Sequence, residues 1–595
     1  MLKVFEKYGY LKSIGALMGL IGIILIIVAI PISGAAETGI RLAGILLVIL
    51  GIGLSLFNYV KEKNNKITLV GFLLIFLSFI LIAISFFITS ADLSNISLAL
   101  KFIGLMSFVI GGLMGSVVSE KHQLAKSLIV IGIAVLAASW IVPYGYFNGG
   151  DFYEYGMRRI GIVDISVAIY NSLYYSIGKI VYLIIVAGFY GVLSKISGYQ
   201  KLVTSLAKKF QKHPAIASVI ISVIIFAMTS MYSQTVVVIT FIPFFISILL
   251  KMNLDKLTTF AITFGSLLVG VIGATYGTEG ISMFNYYAEY YTGLDLATTG
   301  LNYRFIVAAV ALVLYCFFIC MRVRKIVAET KKNTKNSDIS DDPFEVAETK
   351  EKTSAIPTAI ILFLLFVVTT LCYIMWNDNF GIEAFNDLHD WLISLAPSED
   401  FLIMQYILGN NATAFGTYNY EFALCSVLII FGLLLAYLHR VKFNDVIDGF
   451  SKGIKKMIMP ILLMAGTYVV FSICYMVPFM PAFTNWLYNL VEGFNPYLTS
   501  FIAFITSIFH NDLGFTSYLS SSFLFTVFSN NADLVHVIYT SIFGVVQMFV
   551  PTSFALVLGL SLLKVDYKSW LKYIWLFIVG MIAILLVLFT VVAYI

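Results

Sequence analysis

Apolar runs of about 20 residues, the length with which a helix crosses the hydrocarbon core of a bilayer, recur along this chain. Short polar segments separate the runs. The pattern predicts an all-α polytopic membrane protein with about 13 transmembrane helices. These helices are expected near residues 11–33, 39–60, 67–90, 98–118, 127–145, 176–196, 257–275, 303–322, 355–376, 421–439, 457–476, 535–562 and 570–595.

Two further apolar stretches, 215–250 and 498–529, are too long for one crossing, and each has a polar interruption in its middle. Lysine and arginine concentrate in cytoplasmic loops. With the lysine-rich loops inside and the acidic loops outside, the predicted spans alternate only if both stretches return to the side they entered. We therefore predict two re-entrant hairpins, the first entering from the cytoplasm and the second from outside. The expected location is the cell (inner) membrane, with a cytoplasmic N-terminus.

An internal repeat, indicated by several short matches in the same order at a nearly constant offset, supports this organisation. Thr229-Ser230 matches Thr506-Ser507 at an offset of 277, and Thr275 matches Thr552 at the same offset. By loop charge the two copies have opposite orientation, and inverted repeats with broken helices are the architecture of many secondary transporters. The expected parts are an N-terminal four-helix membrane extension (1–123), repeat 1 (124–322), a cytoplasmic linker (323–354) and repeat 2 (355–595).

Composition narrows the class of protein. Apolar residues make up 60% of the 595 residues and charged residues 12%, against about a quarter charged in soluble domains. This excludes an ordinary soluble enzyme, a disordered protein and a nucleic-acid binder. The five cysteines lie in or beside apolar runs, which favours free thiols over a disulfide framework or a zinc site. The first run is too long for a signal peptide and is expected to be a retained span.

The candidate chemistry lies in four polar interruptions, two in the predicted hairpins and two in the helices that follow them. Hydroxyls and freed carbonyls there could bind a sodium ion, and exposed N–H groups could bind a carboxylate. The alternative is that such residues pack closely and bond within their own helix. The candidate substrate- or ion-binding residues are Thr229, Ser230, Ser233, Gln234, Thr235, Thr275, Gly277, Thr278, Thr506, Ser507, His510, Asn511, Asp512, Thr552 and Ser553.

Ionisable residues inside a membrane segment are functional candidates by default. Asp512 could bind a cation or carry a coupling proton, and an unperturbed His510 titrates near neutrality, although such a pair can also be structural. Arg304 and Lys568 begin the last span of each half and are interpreted as interfacial anchors. The segment 445–456 is interpreted as an interfacial helix, because one face is polar and the other apolar.

Four short segments carry a resemblance to a known group: 140–145, 241–244, 302–305 and 550–553. From about residue 125 onward the chain resembles the anaerobic C4-dicarboxylate carrier family and its basic-amino-acid-antiporter-like relatives in the ion transporter superfamily. The resemblance implies a scaffold domain and a transport domain with opposed hairpins, often as a homodimer. It also implies substrates that are carboxylates, amino acids or short acids. Such relatives commonly have acidic residues near the first hairpin and Asn-Pro at the first break, where this chain has Ser233-Gln234 and Thr275-Tyr276.

These features together predict a secondary active transporter, an ion-coupled symporter or exchanger of small organic anions such as C4-dicarboxylates, or of amino acids. The alternatives are a membrane-embedded enzyme and a channel. The chain has no phosphate-binding glycine loop, zinc-protease pattern or hydrolase nucleophile elbow. We expect no cofactor beyond sodium or protons as coupling ions, and the lipid bilayer and a small-molecule substrate as partners.

Overall fold

The structure, a computed structural model, describes residues 10–28, 43–44, 47–48, 50–51, 53–54, 65–88, 93–277, 279–293, 300–332, 342–344, 346, 353–395, 403–409, 411–418, 421 and 423–594. The span predicted at 39–60 lies mostly outside these residues, and the candidate Thr278 lies wholly outside them.

The first compact unit comprises the residues up to Gly145 together with Glu154–Gly161. Within it α2 packs along α3, and α3 packs against α4. A two-stranded sheet that was not predicted from the sequence follows α4, because aromatic residues and a Gly-Gly turn favour a short hairpin there. The assignment of residues from 124 onward to the first repeat stays a prediction. The described elements up to residue 156 are α1 (Tyr10–Val28), α2 (Lys66–Phe87), α3 (Ser94–Val117), α4 (Gln123–Ile141), β1 (Tyr144–Asn148) and β2 (Asp151–Gly156).

The second unit comprises Tyr146–Tyr153 and Ile162–Ile595. Its first-half helices are α5 (Ile162–Leu193), α6 (Ser197–Phe210), α7 (Pro214–Met231), α8 (Thr235–Val238), α9 (Ile242–Lys251), α10 (Lys256–Phe260), α11 (Ser266–Ile272), α12 (Glu279–Thr292) and α13 (Leu301–Lys332), with a π-helical segment, Ala261–Gly265, before α11.

The second half begins at α14. Its helices are α14 (Ile356–Tyr373), α15 (Trp376–Phe380), α16 (Ala384–Ser394), α17 (Ile403–Leu408), α18 (Ala423–Leu438), α19 (Phe443–Met476), α20 (Met480–Tyr488), α21 (Pro496–Phe509), α22 (Leu513–Val527), α23 (Ala532–Gln547), α24 (Phe554–Leu563) and α25 (Tyr567–Tyr594), with a 3₁₀ turn, Ser529–Asn531, before α23.

Long apolar helices dominate both units. In the described part of the chain, nine helices are long and apolar enough to cross a membrane: α2, α3, α4, α5, α7, α13, α14, α19 and α25. The protein is therefore a multi-pass, mainly α-helical membrane protein, as predicted. The total of 13 spans stays a prediction.

Two long helices, α5 and α19, pack against each other in the second unit. A Cβ atom at Gly191 of α5 would clash with the carbonyl oxygen of Gly449 in α19, so glycine permits this close approach. The segment 445–456 is helical, as predicted, and is the beginning of continuous α19 rather than a helix of its own. Its place at the membrane interface stays a prediction. An amphipathic stretch can continue directly into an apolar helix when no turn residue separates them.

Each of the two interrupted apolar stretches forms helices on both sides of its predicted polar interruption. In the first, α7 ends at Met231 and α8 starts at Thr235; in the second, α21 ends at Phe509 and α22 starts at Leu513. The helix after each stretch is also broken, between α11 and α12 and between α23 and α24. Re-entrant insertion of both stretches into the bilayer stays a prediction.

The two halves repeat one packing relation and differ in another. In each half, the first helix of the interrupted stretch packs against the helix before the break, α7 on α11 and α21 on α23. The helix after the break packs differently, because α12 lies on α22 whereas α24 lies on α19. These contacts bring the interruptions of each half into one region.

Candidate functional site

At the first tip, residues 229–235, hydrogen bonds connect the chain to the first break, which lies between α11 and α12. The Ser230 hydroxyl donates to the Gly273 carbonyl at 2.5 Å and lies 3.0 Å from the Thr275 hydroxyl. The amides of Thr275 and Gly277 both donate to the Ser230 carbonyl at 3.0 Å. Ser230 and Thr275 are both buried. These bonds satisfy the Ser230 and Gly273 carbonyls and the Thr275 and Gly277 amides where the two helices end.

Gly277 allows this network to form. A Cβ atom at Gly277 would lie 2.5 Å from the Met231 carbonyl carbon and 2.5 Å from the Tyr232 carbonyl oxygen. Both are backbone atoms that cannot move aside without displacing the tip. Any residue with a side chain would therefore separate the break from the tip.

The other first-tip residues are held by their surroundings. The Thr229 hydroxyl donates to the Ile225 carbonyl in its own helix at 2.9 Å. This is the bonding expected of a threonine that only packs within its helix, the alternative to a binding role. The Ser233 amide donates to the Tyr373 carbonyl at 2.8 Å, which ties the tip to the end of α14. Gln234 is buried beside these residues, and Thr235 starts α8.

The second tip, residues 506–512, is less fully bonded. Ser507 donates to Ala503 in its own helix at 2.6 Å, and Thr552 of the second break donates to the Ile508 carbonyl at 3.0 Å. Among the described residues, the buried Thr506 hydroxyl and the Asn511 Oδ1 atom have no hydrogen-bond partner. An unpaired polar atom in an apolar interior is costly, so these oxygens are candidates for contacts with a ligand.

His510 and Asp512 lie at this tip in different settings. The buried His510 ring has its Nδ1 atom 3.1 Å from the Thr516 hydroxyl, and that hydroxyl donates to the Asp512 carbonyl at 3.2 Å. Because the hydroxyl proton is used there, Nδ1 is the donor to Thr516. The half-buried Asp512 caps α22 by accepting from the Phe515 amide at 3.2 Å. The two side chains are thus linked only indirectly by these bonds.

A cavity of about 60 Å³ lies where elements of both halves meet. Thr235 lines it from the first tip, Asn511 and Asp512 from the second tip, and Ser553 from the second break. The rest of its lining is mainly apolar. The composition of this lining, a few convergent polar groups among apolar side chains, is typical of a small-molecule site.

Two further polar residues of this cavity, Lys179 and Gln547, were not found from the sequence. Lys179 reaches it from α5 and lies 5.8 Å from the centre of the Tyr468 ring of α19, and Gln547 reaches it from the end of α23. The signal for Lys179 was present, since it is a lone charge inside an apolar run. A cation and the Asp512 carboxylate therefore both line the cavity.

Arg304 lies differently from its interpretation as an interfacial anchor. Its side chain is only 2% exposed, and Nη1 donates to the Thr275 carbonyl at 2.8 Å. The start of α13 lies against the first break, where the guanidinium satisfies a carbonyl that no helix bonds. In the second half, Trp570 donates similarly to the Met548 carbonyl at 2.7 Å. Lys568 is exposed.

The structure thus places the predicted residues in two groups. Those at the bonded first tip and break are Thr229, Ser230, Ser233, Gln234, Thr275 and Gly277; those on or beside the cavity, at the second tip or at the second break are Thr235, Thr506, Ser507, His510, Asn511, Asp512, Thr552 and Ser553. Their role in binding stays a prediction. Among the described residues, no group of three or more His, Cys, Asp or Glu side chains could hold a metal ion.

Comparison with known proteins gives little beyond this geometry. No protein-family model matches the chain, and no curated protein matches it. Among solved structures, the Alcanivorax borkumensis YdaH transporter is similar at 12% identity, with 78% of this chain and 97% of that chain covered. The TM-score is 0.35, so this likeness assigns neither fold nor function to the chain.

Proposed function

We propose that this protein is a secondary active transporter of a small organic anion or amino acid, and that its cargo binds in the cavity between the second tip and the broken helices. The observation that carries the proposal is the cavity lined by Lys179, Asp512 and Asn511, because the buried Asn511 Oδ1 atom has no hydrogen-bond partner in the described part of the chain. A cargo with a donor group would satisfy that oxygen, and Lys179 would attract its carboxylate.

Transport rather than simple binding is supported by the origin of the lining. Elements from both halves of the second unit enclose the cavity, and both halves have a broken helix beside it. A site between two repeats can be opened to either side when one part moves against the other. Oxygen atoms at the second tip are the candidates we favour for binding a sodium ion, because the Ser230 and Gly273 carbonyls at the first tip and break already accept hydrogen bonds.

Uptake into liposomes tests the proposal. The purified protein should accumulate a labelled C4-dicarboxylate or amino acid against its gradient when sodium or pH is stepped across the membrane. Accumulation requires coupling, so flux that only equilibrates the label would indicate a channel. Chemical conversion of the label without its movement would indicate an enzyme.

The variant Asp512→Asn separates charge from structure in this assay. Asparagine also caps helices well, so α22 should be retained while the negative charge is lost. We expect uptake to fall about tenfold or more with the thermal midpoint nearly unchanged. Asp566→Asn, at an exposed acid in the same half, is the control. Wild-type uptake by Asp512→Asn would remove this carboxylate from the site.

A further inference from the structure

A second and much larger cavity, of about 920 Å³, lies apart from the cargo cavity and shares no lining residue with it. Six lysines line it, contributed by α6, the end of α9, the start of α10, α19 and the end of α24: Lys208, Lys251, Lys256, Lys455, Lys456 and Lys564. Among its described lining residues the single acid is Asp342. Lysines from five places in the chain thus converge on one space.

Asp342 belongs to the described part of the linker between the two halves. Its carboxylate accepts from the amides of Phe344 at 2.9 Å and Val346 at 3.4 Å, which folds this segment into a turn. Phe344 is buried, with its ring centre 5.6 Å from that of Tyr190 in α5. The linker is therefore attached to the first half and places one carboxylate among the lysines.

Two helices end at this cavity in the left-handed conformation. Asn253 follows α9 with φ of 64°, and Lys564 follows α24 with φ of 53°. Glycine is the usual residue in such a position, and a lysine there is strained. Lys564 thus ends its helix beside the cavity that it lines.

The charge and size of the cavity indicate the class of ligand. Six lysines and one described acid line the cavity, so its lining is net positive and favours an anion as the ligand. The volume suits a ligand much larger than the cargo cavity admits. A positive-inside bias accounts for lysines at a membrane surface, but not for their convergence on a cavity with a left-handed lysine at its edge. Lysine is a common ligand of phosphate.

We propose that this cavity binds a polyanion bearing phosphate groups, and that Asp342 of the linker competes with it for the lysines. The phosphates could belong to a soluble polyphosphate compound or to the headgroups of anionic lipids. Binding is independent of cargo transport, so the proposal stands or falls separately from the proposed function.

Calorimetric titration of the full chain with tripolyphosphate, in nanodiscs of phosphatidylcholine, tests the site. We expect saturable binding that weakens as salt is raised. The double variant Lys208→Gln and Lys564→Gln should bind about tenfold more weakly, whereas Asp342→Asn should bind more tightly. Lys209→Gln with Lys572→Gln, at neighbouring exposed lysines outside the cavity, is the matched control and should bind as the wild type does.

Nanodiscs containing phosphatidylglycerol distinguish the two sources of phosphate. If lipid headgroups are the ligand, tripolyphosphate should bind the wild type more weakly in these nanodiscs than in phosphatidylcholine alone. In the double variant the two kinds of nanodisc should give the same affinity. If a soluble compound is the ligand, tripolyphosphate should bind equally in both kinds of nanodisc. The proposal would be overturned if tripolyphosphate showed no saturable binding in phosphatidylcholine nanodiscs, or if the control pair lost as much affinity as the double variant. Even if a variant fails to fold, the affinity of the unmodified chain for tripolyphosphate at increasing salt concentrations measures how far binding depends on charge.

Discussion

The two tips of the second unit look alike in sequence and differ in structure. At the first tip, Ser230 bonds across to Gly273 and Thr275, so the tip and the break form one network. At the second tip, Ser507 bonds within its own helix, and the Asn511 Oδ1 atom has no partner among the described residues. The serine of the Thr-Ser pair therefore connects the tip to the break in the first half, and bonds within its own helix in the second half.

The comparison shows that two similar polar segments of one chain can form different hydrogen bonds. The bonded network at the first tip holds its helices in place, because the loss of any one bond would leave a buried polar group without a partner and raise the free energy of the folded state. The Asn511 Oδ1 atom has no such bond among the described residues, and a donor group bound in the cavity that Asn511 lines would relieve the cost of its burial. We therefore expect changes at the first tip to alter stability and changes at the second tip to alter transport.

Gly277→Leu should have the largest effect, because it would drive a side chain into the backbone at Met231 and Tyr232. Overpacking of this kind against backbone costs about 3 kcal/mol or more in free energy of unfolding. Thermal unfolding in detergent measures it. Gly580→Leu is the control, since nothing lies within 4 Å of a Cβ atom there. Equal midpoints for the two variants would show that the first tip is not held against the break.

Ser230→Ala and Ser507→Ala form a matched pair across the repeat. Removal of the Ser230 hydroxyl leaves the buried Gly273 carbonyl without its donor, and should cost about 2 kcal/mol. Removal of the Ser507 hydroxyl loses a bond to a carbonyl of its own helix, and should cost about 0.5 kcal/mol. Unfolding by denaturant compares them. The same cost at both positions would contradict the distinction between the tips.

The sequence was sufficient for features that depend on composition along one helix. Apolar length predicted the membrane helices, and hydroxyl, glycine and proline content predicted that helices end near Met231, Ile272, Phe509 and Gln547. It was insufficient for features that depend on which helices meet. Burial of Arg304 against Thr275 is decided by the packing of the start of α13, and no local pattern encodes it.

Lys179 is a second residue whose position could not be predicted from the sequence. Its position in an apolar run marked it as exceptional, yet only the meeting of α5 with the second tip places it at the cavity. The difference between Ser230 and Ser507 was equally hidden, since both follow threonine in similar apolar surroundings. Contacts between segments far apart in the chain decide such roles.

Lys179→Met should sharpen the functional side of the comparison. If Lys179 attracts the carboxylate of the cargo, its loss should raise the KM for uptake about tenfold, with little change in thermal stability. Lys179→Arg keeps the charge and should recover most of the affinity. Lys325→Met, at an exposed lysine of α13, is the control. An unchanged KM in Lys179→Met would separate this residue from the cargo.

The smallest effect is expected from pH at the linker, outside both tips. Burial raises the pKa of Asp342 above its ordinary value, although the two amide donors, Ser247 and Lys251 oppose the shift. The raised pKa means that attachment of the linker is strongest when the carboxyl is protonated, and weakens as pH rises through the shifted pKa. Tyr199 also faces this carboxyl, but it is neutral over that range. Hydrogen exchange at the amides of Phe344 and Val346, corrected for its intrinsic pH dependence, should therefore show greater protection at acid pH. In Asp342→Asn the corrected protection should be independent of pH, and a pH dependence retained in that variant would assign it to another group.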